Sequence, residues 1–376
     1  MQYVFFVAAF NAFFFAMLAL QKKNKATHDW VLLGWLIYLG FFTGSYSFFS
    51  HDYFVSYPLA SSSFISLFLL HGPFLYLYVK YLVSGKTILQ RKDLWHLFPI
   101  LVFNVYLGIA WFIPDVHQRI SLDHVVRDIH PPLIFTFFLI LTVLSGPVYI
   151  ILSVKMLQKH HGTVFRNFSS SDEVDLSWLR KLVYIFGVIW TALMVITSIH
   201  HVFHFFSLSF CTDGLFLSLS IFVILIGYFG LKQQVIFNRS DREKSDFLID
   251  EQVKYSGSGL PREEAAQYLE KLNHHMANAK PYLDPGLSLP QLASELGISS
   301  HLLSQIINEN HQLNFFDFIN RFRVEEVKKK IVLESNNHLS LLGIALESGF
   351  NSKSAFNRMF KKFTGQTPSQ YKSASS

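Results

Sequence analysis

The chain has almost no cysteine. Cys211 is the single one in 376 residues, which excludes an intrachain disulfide framework and any zinc site built on cysteine. Charge is also scarce, with Asp, Glu, Lys and Arg making up 15% against about 25% in ordinary soluble domains. Enzyme signatures are missing: there is no phosphate-binding glycine loop, no Gly-x-Ser-x-Gly elbow and no kinase set. A phosphoacceptor domain would need many more residues. No cofactor and no metal site is expected, and the chain reads as something other than an enzyme.

Apolar residues fill the space. The chain is 51% hydrophobic and 16% aromatic, with 40 Phe, and its mean hydropathy is +0.30. Such values point to membrane spans. The length allows one membrane domain and one soluble domain. The net charge of +6 suits membrane-flanking Lys and Arg as well as nucleic acid, so alone it decides nothing.

Seven apolar stretches are long enough to cross ~30 Å of hydrocarbon. They run about Tyr3–Leu20, Trp30–Phe49, Leu59–Val83, Leu94–Ile113, Leu133–Leu157, Leu179–Phe206 and Leu215–Leu231. The first has no positive charge before it and Lys22, Lys23 and Lys25 after it, unlike a cleavable signal. That polarity places the N-terminus outside. The loops expected in the cytoplasm carry Lys80, Lys86, Arg91 and Lys92, then Lys155, Lys159, Arg166, Arg180 and Lys181. The opposite loops carry only Arg119 and Arg127, diluted by Asp115, Asp123 and Asp128. This is the positive-inside pattern. An odd number of crossings then leaves the C-terminus inside, and six or eight would leave it outside.

His71-Gly72-Pro73 lies in the third stretch and Ser145-Gly146-Pro147 in the fifth. Proline removes a backbone donor and crowds the preceding turn, so both spans are expected to kink. Gly and Pro are also common in membrane helices, so a hinge role does not follow. His71 is costly in a span and should face the bundle interior with a partner; it is a candidate for a ligand pocket or signal relay. Asn11 is expected to bond between helices. His200, His201 and His204 sit near the outer end of the sixth stretch, at spacings that share a helix face. Grouped imidazoles can sense pH or hold a metal, but no complete ligand set is readable, and interfacial histidines also simply bond headgroups and water. The three are candidates for signal detection, without a metal assignment.

The last third is built differently. Ser340 is placed to N-cap a short helix with Leu342, Ala345 and Leu346 inward, and Gly349 to end it. Asn351 is then expected to cap a second helix burying Ala355, Phe356, Met359, Phe360 and Phe363. Its other face offers Ser352, Lys353, Ser354, Asn357, Arg358, Lys361 and Lys362. A short helix, a tight turn and a basic polar-faced helix make a helix-turn-helix. Upstream, Ser288 and Gln291 form a capping-box pattern, and Gly297 makes the turn. Ser299 caps a helix that buries Leu302, Leu303, Ile306 and Ile307 and exposes Ser300, His301, Ser304, Gln305 and Asn308. Ser, Asn, Gln, Lys and Arg are side chains that reach phosphates and base edges.

Ile344-Ala345, Gly349-Phe350, Phe356, Phe360-Lys361-Lys362, Thr364-Gly365, Thr367-Pro368 and Gln370-Tyr371 resemble the C-terminal signature of the AraC/XylS family of transcription regulators. The resemblance covers roughly residues 260–376. It implies two helix-turn-helix units, about 288–309 and 340–363, joined by a linker helix opened by Asn314 and Asp317 and running through Phe318, Ile319, Phe322 and Val327 to Ile331. It implies double-stranded DNA as partner, read through Ser300–Asn308 and Ser352–Lys362. Most of that family has a soluble sensory domain; this chain departs from it, so nothing about effector pockets carries over.

Between the two parts, residues 232–260 are polar and end in the flexible Ser256-Gly257-Ser258-Gly259. Pro261 then starts a helix whose Ala265, Tyr268, Leu269, Leu272 and Met276 form an apolar stripe, stopped at Pro281. The stripe either packs on the DNA-binding domain or pairs with a second copy. The expectation is an all-α protein: a seven-helix transmembrane sensor (1–231), a cytoplasmic linker (232–260) and an AraC-type DNA-binding domain (261–376). It would sit in a bacterial inner membrane as a one-component regulator, with membrane lipid, DNA, the transcription machinery and an unknown small-molecule or envelope signal as partners, and homodimerisation as an option. Two other classes stay open: a receptor or transporter-like protein whose tail docks a protein, and a membrane enzyme acting on lipid through His71 and the outer histidines.

Overall fold

The computed structural model describes residues 2–48, 57–84, 88–120, 132–170, 176–203, 208–237, 262–333 and 339–375. It is all-helical. Among the described residues there is no strand, only one isolated bridge. The chain divides into two compact units, 1–158 with 176–250 and 159–175 with 251–376.

The first unit holds α1 (Gln2–Leu20), α2 (Thr27–Phe48), α3 (Pro58–Ser66), α4 (His71–Ser84), α5 (Phe98–Trp111), α6 (Pro114–Arg119), α7 (Leu133–Asn167, up to residue 158), α8 (Ser177–Phe203) and α9 (Leu208–Phe237). Six described segments are long and apolar enough to cross a membrane: Tyr3–Leu20, Thr27–Ser47, Ser62–Ser84, Arg91–Trp111, Leu133–Asn167 and Asp213–Gly230. The stretch expected as the sixth span, Leu179–Phe206, forms α8, 27 residues long. Several side chains in its C-terminal half, His200 and His201 among them, and His204 beyond it lie outside the described residues.

Helix α1 packs on α2 and α9, α9 on α8, and α2 on α4. Their shared core includes Phe5, Ala12, Leu36, Leu39, Phe42, Tyr78, Val79, Phe216 and Val223. Small residues let the helices approach. A Cβ on Gly72 would overlap the Tyr149 ring. The outer surface carries many large apolar side chains, with Phe10 64%, Phe41 65%, Ile109 58%, Ile140 54% and Val188 69% exposed. So broad an apolar surface is unusual for a protein in water.

Proline acts differently in the two apolar segments. Before Pro73 the helix tightens into a 3-10 segment, Leu67–Leu70, between α3 and α4, where the missing donor and ring crowding fall. Around Pro147, α7 stays one unbroken helix. Asn11 donates to the Val7 carbonyl of its own helix at 2.9 Å, not to a neighbour as expected; the carbonyl one turn back is the nearest acceptor. Charged groups are tied down at helix ends: Lys22 pairs with the buried Asp29 at 2.6 Å, and Lys80 and the Tyr81 hydroxyl both meet Asp93.

The second unit holds α10 (Arg262–Asn278), α11 (Leu289–Leu296), α12 (Ser300–His311), α13 (Phe315–Val332), α14 (Leu341–Leu346), α15 (Lys353–Thr364) and α16 (Pro368–Ser375). The last turns of α7, from residue 159, also belong here, together with Phe168, Ser169 and Ser170. Two cores flank α13. Leu272 and Met276 of α10 join Leu292, Leu296, Leu303, Ile307, Phe318 and Ile319 in one, so the α10 stripe packs inside this unit. Phe316, Val324, Val327, Ile344, Phe350, Phe356 and Phe360 build the other.

Candidate nucleic-acid interface

Each half of the second unit is a capped helix pair. Ser288 caps α11, accepting from the Gln291 amide at 3.4 Å, and Ser299 caps α12, accepting from Leu302 at 3.2 Å. Gly297 turns between them at φ 68°, a conformation that side chains resist. In the second half Ser340 caps α14, accepting from Gly343 at 3.0 Å, and Gly349 turns at φ 90°. Asn314 caps α13, accepting from the Asp317 amide at 2.8 Å. Such caps contribute about 1 kcal/mol each.

Two local expectations fail. The cap of α15 is Ser352, which accepts from Ala355 at 3.1 Å, and not Asn351. Helix α15 starts one residue later than expected, leaving Asn351 exposed with its amide on the Ser170 hydroxyl. Leu346 is 47% exposed, while Ile344 is 1% exposed. Helix α14 is only six residues long, and its inward face is set by Ile344 and Ala345.

The candidate side chains on both helices lie away from the cores. On α12, His301 and Asn308 are exposed and Ser300, Ser304 and Gln305 half-buried; Leu303, Ile306 and Ile307 point into the core. Gln305 donates to Glu309 at 2.8 Å. On α15, Lys353, Ser354, Asn357, Arg358, Lys361 and Lys362 are exposed and Ser352 half-buried, opposite the buried Ala355, Phe356, Met359 and Phe360. Lys362 also pairs with Asp317 of α13 at 2.6 Å. With Lys362 half-exposed, that pair is worth under about 1 kcal/mol, so a phosphate can compete for the ammonium.

Helix α13 carries the element that sequence reasoning missed. Arg323 is 1% exposed. Its guanidinium donates to the Tyr282 carbonyl at 2.7 Å, the Asp284 carbonyl at 2.8 Å, the Ser169 carbonyl at 3.0 Å and the Ser169 hydroxyl at 2.9 Å. Burial pulls its pKa down to about 10, with the Asp284 carboxylate acting the other way. It therefore stays charged at neutral pH. Beside it, the Tyr282 hydroxyl donates to Glu326 at 3.2 Å; burial and that carboxylate push the phenol up to about 12. Asn320 and Arg323 fall in phase with the buried Phe316 and Val327, so polar residues on an apolar face were the available signal.

In the first unit His71 is 6% exposed. Its Nε2 lies 3.3 Å from the Tyr38 hydroxyl, and Phe42, Phe68 and Trp190 surround the ring. It faces the interior of its unit with a polar neighbour.

A helix-turn-helix domain family matches residues 292–374. The C-terminal part of this chain is an AraC-type helix-turn-helix domain. Over 103 residues the chain is 33% identical to an uncharacterized HTH-type transcriptional regulator of Staphylococcus aureus, a match covering 27% of this chain and 13% of that protein. Over 92 residues it is 30% identical to the melibiose operon regulatory protein of Escherichia coli, covering 24% of this chain and 30% of that one. A solved structure from Listeria innocua, of a protein of unknown function, is 27% identical with a TM-score of 0.25, covering 28% of this chain and 95% of its own. The chain thus spans well under two thirds of the regulators it matches. The family match lies in the second unit, and both regulators carry names of transcription regulators rather than enzymes.

Proposed function

We propose that this chain is a membrane-embedded, one-component transcription regulator whose AraC-type domain binds DNA in a sequence-specific way. The observation that carries the reading is the pair of capped helices, α12 and α15, each with one face in a core and the other polar and open. Both are mounted on α13, whose 18 residues span ~27 Å at 1.5 Å per residue. That scale suits two successive major grooves on one face of a duplex, ~34 Å apart. The contacting residues are Ser300, His301, Ser304, Gln305 and Asn308 on α12, and Ser352, Lys353, Ser354, Asn357, Arg358, Lys361 and Lys362 on α15.

Residues 1–231 form a seven-span sensor in a bacterial inner membrane, joined through 232–260 to the DNA-binding domain, 261–376. The apolar outer surface of the helices supports this, as does the distribution of Lys and Arg among the loops. The N-terminus lies outside and the DNA-binding domain in the cytoplasm, beside the transcription machinery. A small-molecule or envelope signal shifts the bundle between two arrangements that bind it with different affinity. His71, held by Tyr38 in an aromatic surround, is the proposed responsive group inside the bundle; His200, His201 and His204 are the proposed outer ones. A second copy of the chain is a further proposed partner.

The test uses the full chain in lipid nanodiscs. A duplex enriched from a random pool should bind more tightly than unselected DNA, with affinity falling steeply as salt rises. Equal affinity for both would overturn sequence-specific reading, and cleavage of the C-terminal domain by protease added to intact cells would overturn the sidedness.

A further inference from the structure

The segment after the fifth span is part of the DNA-binding unit. Residues 159–175 group with 251–376, and Phe165–Ser170 touches all three of that unit's working parts. Phe168 forms an antiparallel bridge with Ser288, the cap of α11, and the Ser169 amide donates to Leu287 at 3.1 Å. On the linker helix, Phe165 meets Phe316 edge-on with centroids 4.6 Å apart. The Ser169 carbonyl accepts from Asn320 and Arg323, each at 3.0 Å. At the second helix pair, Ser170 accepts from Asn351, the residue before the cap of α15.

The chemistry makes this more than a loop at rest on a surface. Two of the four acceptors around the Arg323 guanidinium belong to Ser169. Removing the segment would leave a buried cation and the Asn320 amide short of acceptors, which destabilises the linker helix where both cores meet. While the segment is seated, the polar faces of α12 and α15 remain open. The seated state is therefore compatible with DNA.

We infer that Phe165–Ser170 is a latch that sets α12 and α15 in register for DNA, so that the segment after span five, and not only 232–260, carries the state of the spans to the reading helices. Residues 159–167 are the last turns of α7, so a displacement of that helix along its axis would load the latch directly. The latch rests on the DNA-binding reading proposed for this unit.

The test uses the full chain in nanodiscs, with Cys211→Ser so that introduced thiols stand alone, and a duplex selected by the wild-type protein from a random pool. In one arm Ser170→Cys and Asn351→Cys are bridged by a short thiol-reactive linker. In the other, Phe165→Ala with Ser169→Pro removes the ring contact, the amide bond to Leu287 and the hydroxyl acceptor of Arg323. The bridged protein should form in high yield and bind within about threefold of wild type. The unlatched protein should bind at least about tenfold more weakly, a loss of about 1.4 kcal/mol, and bridging it through the two cysteines should restore binding. That rescue separates a lost register from a failure to fold. Absence of the bridge, loss of binding on bridging, or an unlatched protein that binds as well as or better than wild type would each overturn the latch. If the wild-type protein selects no duplex, the DNA-binding reading fails first, while the yield of bridge still reports whether the segment is seated.

Discussion

Gly297 and Gly349 turn the chain at the same point of two similar helix pairs, at φ of 68° and 90°. A Cβ on Gly297 would meet nothing within 4 Å. One on Gly349 would overlap the Tyr282 carbonyl and come within 2.9 Å of the Arg323 Nε. The first turn is thus a surface cap, and the second is a packed joint beside the buried Arg323 guanidinium. The helices that follow the two turns, α12 and α15, also differ. The open face of α12 carries Ser300, His301, Ser304, Gln305 and Asn308, whereas that of α15 carries Lys353, Arg358, Lys361 and Lys362 among its polar residues. Under the proposed function the two copies divide the work: the open face of α12 is built from uncharged polar side chains and a histidine, suited to base edges, and that of α15 is cationic and braced from behind.

The sharpest way to break that contrast is at the two glycines. Gly349→Ala should cost roughly 3 kcal/mol or more, since backbone strain and a clash with a fixed carbonyl add. Gly297→Ala should cost only about 1–2 kcal/mol, the strain of a left-handed alanine. Denaturant unfolding monitored on the C-terminal unit of the full chain measures both. Equal losses would mean that the second turn is no more constrained than the first.

On DNA, Arg358→Ala should lose about 1–3 kcal/mol of binding to a selected duplex. Gln305→Ala should cost a similar amount on that duplex while relaxing the choice of base, because a bidentate amide discriminates adenine. Competition binding against single-base variants of the duplex separates the two effects. If neither substitution changes affinity or choice, the assigned faces are wrong.

Salt sharpens the comparison further. Lys353→Ala and Lys361→Ala should each reduce the slope of log affinity against log salt by about one. Ser304→Ala and Asn308→Ala on α12 should leave that slope unchanged. A slope moved equally from both helices would erase the proposed division of labour.

The smallest effect concerns acid. His311 ends α12 with its Nε2 buried and unbonded, and burial lowers its pKa, helped by the nearby Arg321. A histidine with a depressed folded pKa stabilises the fold above its unfolded value of about 6.5 and loses that contribution as the pH falls through the interval below. The wild-type domain should therefore lose more thermal stability between pH 7.5 and 5.5 than His311→Asn does. Identical shifts would remove His311 from the account.

Much of the domain was legible from residue order, because its signals are local. Serine before an apolar periodic run, glycine just after it and a 3.6-residue apolar stripe each act within a turn or two, and so Ser288, Ser299, Ser340 and Gly349 fell where expected. The errors at Asn351 and Leu346 are also local: Asn351 and Ser352 are adjacent capping residues, and a six-residue helix offers too short a period to fix its buried face. What could not be read was long-range. Ser169 and Arg323 are 154 positions apart, and nothing in the sequence around Phe168–Ser170 marks it as a piece of the DNA-binding unit. In the apolar region, length and hydropathy gave the helices but not their neighbours, since surface and core positions there carry the same large apolar side chains. His71 was the exception, because a polar group there must find a partner.

Footprinting of a selected duplex by the full chain in nanodiscs tests the central claim most directly. The account predicts two protected stretches on one face of the DNA, centred about one helical turn, ~10 base pairs, apart, with Arg358→Ala weakening one and Gln305→Ala the other. A single protected stretch, or protection that does not depend on sequence, would contradict it.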